Sequence, residues 1–306
     1  MSRLRVGVVG LGAISEFHLR ALAASAEWSL VAVCDLDPVR AAVPPLGAVG
    51  YTDHVRMLEQ ERPDAIVVTA PNDTHARICA DAIDAGAAVC VEKPLALDLA
   101  GGEAVTALAR ERGMPLFTAF HRRYNSEFAA LLEWLAGRTV TEVTVRYLER
   151  IEEHAGEETW YLDPGRCGGG CVADNGPNAF DLVETLLGRA EVAGARVERD
   201  GAGVDRRADI ALETGTARAR VLLDWSYPGE RKDIEVRTAD GGARRADMLA
   251  ERPAFKESLW HEYEGIAADF AAHVRGERTG DGSGLSALRL VDEVYRAAAS
   301  GERVSR

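Results

Sequence analysis

The sequence lacks the features that mark several classes of protein. Its 36 Lys and Arg against 49 Asp and Glu leave a formal net charge of −13, which argues against a nucleic-acid or anionic-membrane partner, because both bind clustered positive charge. No apolar run approaches the roughly 20 residues that span a bilayer. The N-terminal apolar segment breaks at Gly10 and Gly12 without a small-residue cleavage site, so we expect no signal peptide. These absences predict a soluble, cytoplasmic protein.

Cysteine is also scarce, since five residues among 306 do not make a disulfide scaffold. Cys34 and Cys90 lie in apolar runs and are predicted to be core residues. Cys167 and Cys171 form a lone pair three residues apart among glycines. Two ligands are fewer than the three or four protein ligands that zinc usually takes, so the sequence predicts no metal site.

Short apolar runs alternate with helical segments over the first 120 residues. Hydrophobic residues make up 47% of the chain, which is ample for buried cores. The predicted strands are Arg5–Val9, Leu30–Cys34, Ala65–Thr69, Ala88–Val91 and Pro115–Phe120, and the predicted helices are Ile14–Ala24, Thr74–Ala85 and Leu99–Arg112. Wholly apolar strands separated by helices indicate a parallel sheet covered on both faces. We therefore predict an α/β fold that begins with a doubly wound Rossmann domain, residues 1–121.

The pattern changes after Phe120 and predicts a second domain, residues 122–306, of α+β class with a mostly antiparallel open sheet. The predicted strands are Thr141–Arg150, Val192–Glu198, Asp209–Glu213, Ala217–Trp225 and Lys232–Arg237. The predicted helices are Ser126–Leu135, Ala173–Leu187, Leu259–Val274 and Gly284–Ala299. We expect an apolar face of this sheet, with Arg146, Ala219, Val221, Leu223 and Trp225 on alternating positions, to need a cover. This predicts a homodimer or homotetramer.

The first predicted strand runs into the sequence Gly10-Leu11-Gly12-Ala13-Ile14-Ser15, which opens a helix. The first glycine permits a tight turn, and the second lets a pyrophosphate approach the backbone at the helix N-terminus. Ser15 stands where the usual third glycine would be. Asp35 ends the second strand, where a carboxylate accepts hydrogen bonds from ribose hydroxyls and repels a 2′-phosphate. The pattern predicts binding of NAD rather than NADP.

Two more segments follow predicted strands: Pro71-Asn72 with His75 after Ala65–Thr69, and Glu92-Lys93-Pro94 after Ala88–Val91. Ligands of doubly wound sheets bind at the carboxyl ends of the strands. The predicted cofactor contacts are therefore Gly10, Gly12, Ala13, Ile14, Asp35, Pro71, Asn72, His75, Glu92 and Lys93.

These motifs, together with Phe120-His121-Arg122-Arg123-Tyr124 and with Trp160 before Gly168-Gly169-Gly170, resemble the glucose–fructose oxidoreductase / inositol dehydrogenase (Gfo/Idh/MocA) family over nearly the whole chain. The resemblance implies a Rossmann domain, then a domain for substrate binding and oligomer contacts. It also implies hydride transfer between NAD(P) and a hydroxyl or keto carbon of a sugar, inositol or similar polyol.

The same resemblance implies that Lys93 is the active-site lysine and that Asp174 belongs to a substrate-facing helix. Asn178 stands four residues later, where the family usually has a catalytic His. Spacing of i and i+4 places the two side chains on one helix face. A carboxamide donates and accepts hydrogen bonds but exchanges no proton, so Asn178 can orient a substrate and cannot act as its base.

Three groups remain for proton transfer: Lys93, which is the strongest; His121, at the end of the last parallel strand; and Tyr161. Two other functions stay open. One is reduction of a C=N or conjugated bond, for which a dedicated His is less necessary, and the other is a catalytically silent NAD-binding sensor. The substrate itself is a small polar molecule that the fold cannot name.

Overall fold

The structure is a computed structural model, and it describes residues 2–154, 159–250, 252, 256–279 and 282–300. Contacts divide the chain into two compact units. The first comprises Met1–His121 and Leu259–Leu285, and the second comprises Arg122–Ser258 and Ser286–Arg306. The segment Leu259–Leu285, which the sequence analysis places in the second domain, therefore packs with the first.

The first unit is built on a parallel sheet of six strands in the order β3-β2-β1-β4-β5-β6. The strands are β1 (Leu4–Val9), β2 (Trp28–Cys34), β3 (Val49–Tyr51), β4 (Ala65–Val68), β5 (Ala88–Glu92) and β6 (Leu116–Ala119). Its helices are α1 (Ser15–Ala24), α2 (Pro38–Ala41), α3 (His54–Glu61), α4 (His75–Asp84), α5 (Leu99–Arg112) and α11 (Leu259–Val274). This order is that of a Rossmann fold, which confirms the predicted fold class.

Sequence analysis missed β3 and α3. The strand is only three residues long and centres on Gly50, where a Cβ atom would lie 1.9 Å from the carbonyl oxygen of Ala41. The position therefore needs glycine for a close backbone approach, and glycine is poor in strand propensity.

Helix α11 joins the first unit through the aromatic ring of Trp28 on β2. The indole nitrogen donates to the carbonyl oxygen of Ala267 at 2.9 Å, and the ring stacks on Phe270 at 5.3 Å between centroids. Both aromatic side chains are almost fully buried, so this contact contributes both apolar burial and a satisfied polar group.

The second unit is built on a mostly antiparallel sheet in the order β12-β11-β7-β10-β9-β8, in which only β7 and β10 pair in parallel among the described strands. The strands are β7 (Val140–Arg150), β8 (Glu191–Arg199), β9 (Asp205–Glu213), β10 (Arg218–Asp224), β11 (Ser226–Thr238) and β12 (Ala243–Asp247). The helices are α6 (Ser126–Trp134), α7 (Ile151–His154), α8 (Pro164–Cys167), α9 (Cys171–Asp174), α10 (Gly176–Leu187) and α12 (Ser283–Ser300), the last from residue 286 onward.

The predicted helix Ala173–Leu187 is wrong as a single element, because the structure divides it into α9 and α10 at Asn175. Pro177 has no backbone N–H to continue the hydrogen-bond ladder. Asn175 nevertheless keeps right-handed helical angles (φ −83°, ψ −29°), so Asp174 and Asn178 remain related by about one helical turn.

The sequence analysis expects the second sheet to have an apolar face that needs a cover, and in the structure this face is already covered. Ala219, Val221, Leu223 and Trp225 are at most 5% exposed and belong to the core that includes Phe180 of α10. They therefore face the unit's own helices rather than an open surface. The alternate positions carry ion pairs: Arg146–Asp233, Arg207–Asp224, Arg218–Glu142 and Arg220–Asp209. Period-two alternation explains the correction, because neighbouring residues on a strand face opposite sides.

Candidate nucleotide and substrate sites

The glycine turn after β1 lies against the chain that follows β4. Gly10 has φ +97°, and a Cβ atom there would lie 2.6 Å from the backbone nitrogen of Ala70. Thr69 donates from its hydroxyl to the carbonyl oxygen of Gly10 at 2.6 Å. The position therefore requires glycine for both its backbone angle and its close approach.

Asp35 is fixed at the end of β2 by two backbone donors. Its Oδ2 accepts from the N–H of Leu11 at 2.7 Å, and its Oδ1 accepts from the N–H of Asp37 at 2.8 Å. The side chain is 13% exposed, and an Arg40 nitrogen lies 4.0 Å from Oδ2. The carboxylate is thus held in one orientation beside the glycine turn, with oxygen lone pairs remaining for further donors.

Helix α1 starts at the same turn. Ser15 donates from its hydroxyl to the carbonyl oxygen of Gly12 at 2.6 Å, so it closes the turn at the position of the missing third glycine. At the N-cap residue, Ile14, no side chain of the described chain caps the helix. Ala13 is exposed and Gly12 partly exposed, so the N-terminal end of α1, where the helix dipole favours an anion, begins at a surface turn.

The segment after β4 places Pro71 at the surface of the turn and buries Asn72 and His75. His75 is 0% exposed. Its Nδ1 lies 2.7 Å from the carbonyl oxygen of Pro94, and its Nε2 lies 2.7 Å from that of Ala70. His75 therefore links the loop after β4 to the loop after β5. Because its side chain is buried, it supports these loops and does not line a surface for the nucleotide.

Glu92 has a similar supporting position at the end of β5. Its Oε1 accepts from Nε2 of His18 on α1 and from the hydroxyl of Tyr263 on α11, both at 2.8 Å. Burial raises the pKa of the Glu92 carboxyl, but the hydrogen bond from His18 and the positive charges of His18, His121 and Lys93 outweigh it, and the net pKa is lowered. Glu92 is thus a buried anion, and Lys93, the next residue, is partly exposed.

His121 follows β6, the strand next to β5. Its Nδ1 lies 2.5 Å from Oε2 of Glu262, which is 0% exposed, and its ring stacks on Tyr263 at 5.5 Å. Sequence reasoning missed Glu262 and Tyr263, because they lie about 140 residues away in sequence and on a helix assigned to the other domain. Glu262 and Tyr263 carry no local signal, because the same helix also contains Glu264, Asp269, Trp260 and Phe270.

This edge of the first sheet fits NAD. The rigid carboxylate of Asp35 suits the ribose hydroxyls, and the α1 N-terminus with its flanking glycines suits the pyrophosphate. When bound, the nicotinamide ring of NAD accepts or returns a hydride.

In the second unit, Asp174 ends α9 and Asn178 lies in the first turn of α10, and both are at most 5% exposed. Gly170 makes this placement possible, because a Cβ atom there would lie 2.3 Å from the carbonyl oxygen of Asp205. Asp205 in turn accepts from the backbone N–H of Val172 at 2.8 Å, so it caps the start of α9.

A buried charged cluster adjoins this turn. Asn175 donates to Glu149 at 2.8 Å, and Glu149 pairs with Lys232 at 2.7 Å. Burial lowers the pKa of Lys232, but the carboxylates of Glu149 and Glu230 outweigh it and raise the net pKa. Sequence reasoning missed this cluster, although strand alternation places Glu149 and Lys232 on the inward face of β7 and β11, where Val145 and Ile234 are buried.

The described ranges contain neither a metal-binding cluster nor a membrane-spanning helix. No group of three or more His, Cys, Asp or Glu side chains there is arranged to hold a metal ion. None of the helices in that part of the chain has the length and hydropathy needed to cross a bilayer.

Comparison with known proteins places this geometry in a family. Residues 4–120 match the model of an oxidoreductase family with an NAD-binding Rossmann fold, and residues 130–244 match the GFO/IDH/MocA C-terminal domain. An inositol 2-dehydrogenase of Rhizobium meliloti is 26% identical over 99% of this chain and 99% of its own. A myo-inositol dehydrogenase, Hyg17, of Streptomyces leeuwenhoekii is 32% identical over 72% of this chain and 66% of its own.

Among solved structures, GenD2 from gentamicin A biosynthesis, in complex with NAD, has a TM-score of 0.88 at 24% identity and covers 100% of this chain and 97% of its own. This similarity shows a shared fold. Together with the two family models and the nucleotide site, it shows that the chain belongs to the GFO/IDH/MocA family of NAD-binding oxidoreductases.

Proposed function

We propose that this enzyme transfers a hydride reversibly between NAD and a CH–OH carbon of a sugar, inositol or similar polyol. The similarity to two inositol dehydrogenases supports this substrate class. The observation that carries the proposal is the position of Lys93, partly exposed at the carboxyl end of β5 and preceded by the buried anion Glu92.

In the proposed reaction, Asp35 and the α1 N-terminus hold the cofactor, and Lys93 contacts the reacting oxygen. An ammonium group has three N–H donors and no acceptor, so Lys93 stabilises the negative charge that develops on this oxygen. Asp174 and Asn178 bind other hydroxyls of the substrate. Carboxylate and carboxamide oxygens accept from hydroxyl groups, and the carboxamide also donates.

A turnover screen tests this function. The purified protein is assayed with NAD against inositols, aldoses and other polyols, and with NADH against keto-inositols, keto-sugars and cyclic imines. We expect turnover with at least one polyol and its keto form. Turnover with imines alone, or NAD binding without turnover in the whole panel, would contradict the proposal.

Cofactor preference is the first specific prediction. A 2′-phosphate would face the carboxylate of Asp35, and like charges about 4 Å apart repel by about 4 kcal/mol at an effective dielectric of 20. Allowing for compensation by Arg40, we expect NADH to bind at least about tenfold tighter than NADPH. Fluorescence titration with both nucleotides measures the ratio. Asp35→Asn keeps an acceptor oxygen but loses the charge, so it should reduce the preference for NADH over NADPH. Equal binding of NADPH and NADH by the unmodified protein would contradict the prediction.

We also propose a homodimer or homotetramer joined through the second sheet. The ion-paired face of this sheet, rather than an apolar one, now supports the proposal, since interspersed charges of both signs suit a self-complementary contact. Light scattering should return two or four times the chain mass of 32.9 kDa, with a lower mass at high salt if the contact is ionic. A monomer mass across a concentration series would contradict it.

A further inference from the structure

The proposed function needs a group that exchanges the hydroxyl proton of the substrate, and neither Asn178 nor a charged Lys93 accepts one. The structure brings another ionisable side chain, that of His121, to the edge of the sheet that holds Lys93. His121 follows β6, and Ala119 at the end of that strand pairs with Glu92 on β5. His121 therefore lies one strand away from Lys93, at the edge where doubly wound sheets bind ligands.

The geometry points to His121 as the acid–base group of this enzyme, with Glu262 as the residue that positions it. This inference rests on the proposed function. Nδ1 of His121 lies 2.5 Å from Oε2 of Glu262, so Nδ1 carries the hydrogen of the neutral ring and the basic lone pair belongs to Nε2. A carboxylate that orients an imidazole and stabilises its protonated form is the arrangement that general acid–base catalysis uses.

The pair of His121 and Glu262 is buried. The Glu262 side chain is 0% exposed, whereas that of His121 retains 9% exposure. A fully buried carboxylate needs a donor or a positive charge nearby, and His121 is the partner that the geometry supplies. Such a carboxylate favours the imidazolium that forms when His121 takes up a proton.

The surroundings of His121 restrain its ring. From α11, Tyr263 stacks on it with an interplanar angle of 14°. The hydroxyl of Tyr263 donates to Glu92 on β5, and the ring of His18 on α1 meets Tyr263 edge-on at 4.6 Å. The charged and titratable groups of this unit that face His121 through the contacts described include Glu262, Tyr263, Glu92 and, beyond Tyr263, His18. Lys93 adds a positive charge that, like that of His121, acts on Glu92. The hydrogen bonds and stacking described fix one orientation of the imidazole.

The proposed step balances without a further reactant. In the oxidative direction the C–H bond of the substrate breaks, and its hydrogen leaves with both electrons to NAD⁺. The O–H bond also breaks, its proton moves to Nε2 of His121, and the carbonyl double bond forms. Lys93 stabilises the oxygen while this happens. In the reductive direction, protonated His121 returns the proton to the same oxygen.

Two substitutions test the assignment on the full-length protein, with the substrate found in the turnover screen. His121→Asn should lower kcat by about 10²- to 10⁴-fold, with little change in the Kd of NADH. Glu262→Gln keeps the shape but removes the charge. It should lower kcat by at least about tenfold and move the acidic limb of kcat/KM to lower pH, because the imidazolium loses its counter-ion. A merely structural role of Glu262 would change stability without moving this limb.

A readout besides turnover is the proton in the His121–Glu262 hydrogen bond. We expect a proton resonance well downfield of the amide region in the NMR spectrum, lost in both variants. The matched control is another close His–carboxylate pair of the first unit, His54 and Asp81, whose Nε2 and Oδ2 atoms are 2.7 Å apart. His54→Asn and Asp81→Asn should leave kcat and its pH profile unchanged.

The possible outcomes distinguish a failure of the proposed function from a failure of the assignment of His121. An unmodified protein that turns over no polyol or keto form overturns the proposed function itself. An active protein whose His121→Asn and Glu262→Gln variants keep kcat within about threefold, while binding NADH normally, overturns the assignment of His121 and leaves the function standing. Circular dichroism and NADH titration show whether each variant is folded, and a variant that binds NADH normally but loses kcat supports the assignment.

Discussion

Lys93→Met is expected to lower kcat by about 10²- to 10³-fold, the range found when one donor to a developing oxyanion is removed. Methionine has a comparable length but no charge and no hydrogen-bond donor. Because the proposed nucleotide contacts are Asp35 and the α1 N-terminus, the Kd of NADH should change little. Steady-state kinetics with the preferred substrate, together with NADH titration, measures both quantities.

The control for Lys93→Met is Asn178→Ala. An amide that binds the ground state and the transition state to similar degrees should mainly affect KM, so Asn178→Ala should raise KM with a small change in kcat. If Lys93→Met retained full kcat, Lys93 would not contact the reacting oxygen. If Asn178→Ala and Asn178→His both left KM and kcat unchanged, position 178 would not contact the substrate.

Arg123→Met is expected to destabilise the protein by about 3–5 kcal/mol, the cost of leaving a buried charge without its partner. Arg123 donates from Nε and Nη2 to the two carboxylate oxygens of Asp181, at 2.8 and 2.6 Å. The Asp181 side chain, on α10, is 1% exposed. Urea unfolding measures the change in the free energy of unfolding.

A matched control lies in the same unit. Arg220 makes the same two-pronged contact with Asp209, at 2.8 and 2.6 Å, but their side chains are 55% and 32% exposed. Arg220→Met should therefore cost about 1 kcal/mol or less. Adding Asp181→Leu to Arg123→Met should recover part of the lost stability, since the buried charge is removed. Equal losses for the two arginine variants would show that burial of the carboxylate does not determine the effect.

Local sequence patterns predicted five of the six strands of the nucleotide half, but not β3, α3 or the place of α11 in this unit. Wholly apolar runs such as Ala65–Val68 form strands only when both faces are covered, so they indicated a parallel sheet directly. Gly10 and Asp35 each directly follow a predicted strand. Both therefore lie at the carboxyl ends of the strands, where such sheets bind ligands. The helix predicted over Leu99–Arg112 has the observed bounds, and the structure shows Asp98 capping its start and Gly113 ending it in a left-handed conformation.

Patterns within one segment were less informative where the partner lay elsewhere in the chain. Alternation along β10 showed that Ala219 and Val221 share a face, but not that the unit's own helices cover that face. Likewise, the i, i+4 spacing of Asp174 and Asn178 survived, while Pro177 broke the helix between them into two. Periodicity gives the relative orientation of side chains, and the packing partner decides which side is buried.

The amino-acid sequence by itself determined the parallel sheet, its nucleotide turn and the positions of Asp35, Lys93 and Asn178, because each depends on residues close in the chain. Only the tertiary structure placed α11 in the first unit and brought Glu262 to His121 and Tyr263 to Glu92. The physical reason is that a buried carboxylate must find a partner wherever the fold supplies one. Glu92 and Glu262 both find theirs more than 70 residues away, beyond the range of any local pattern.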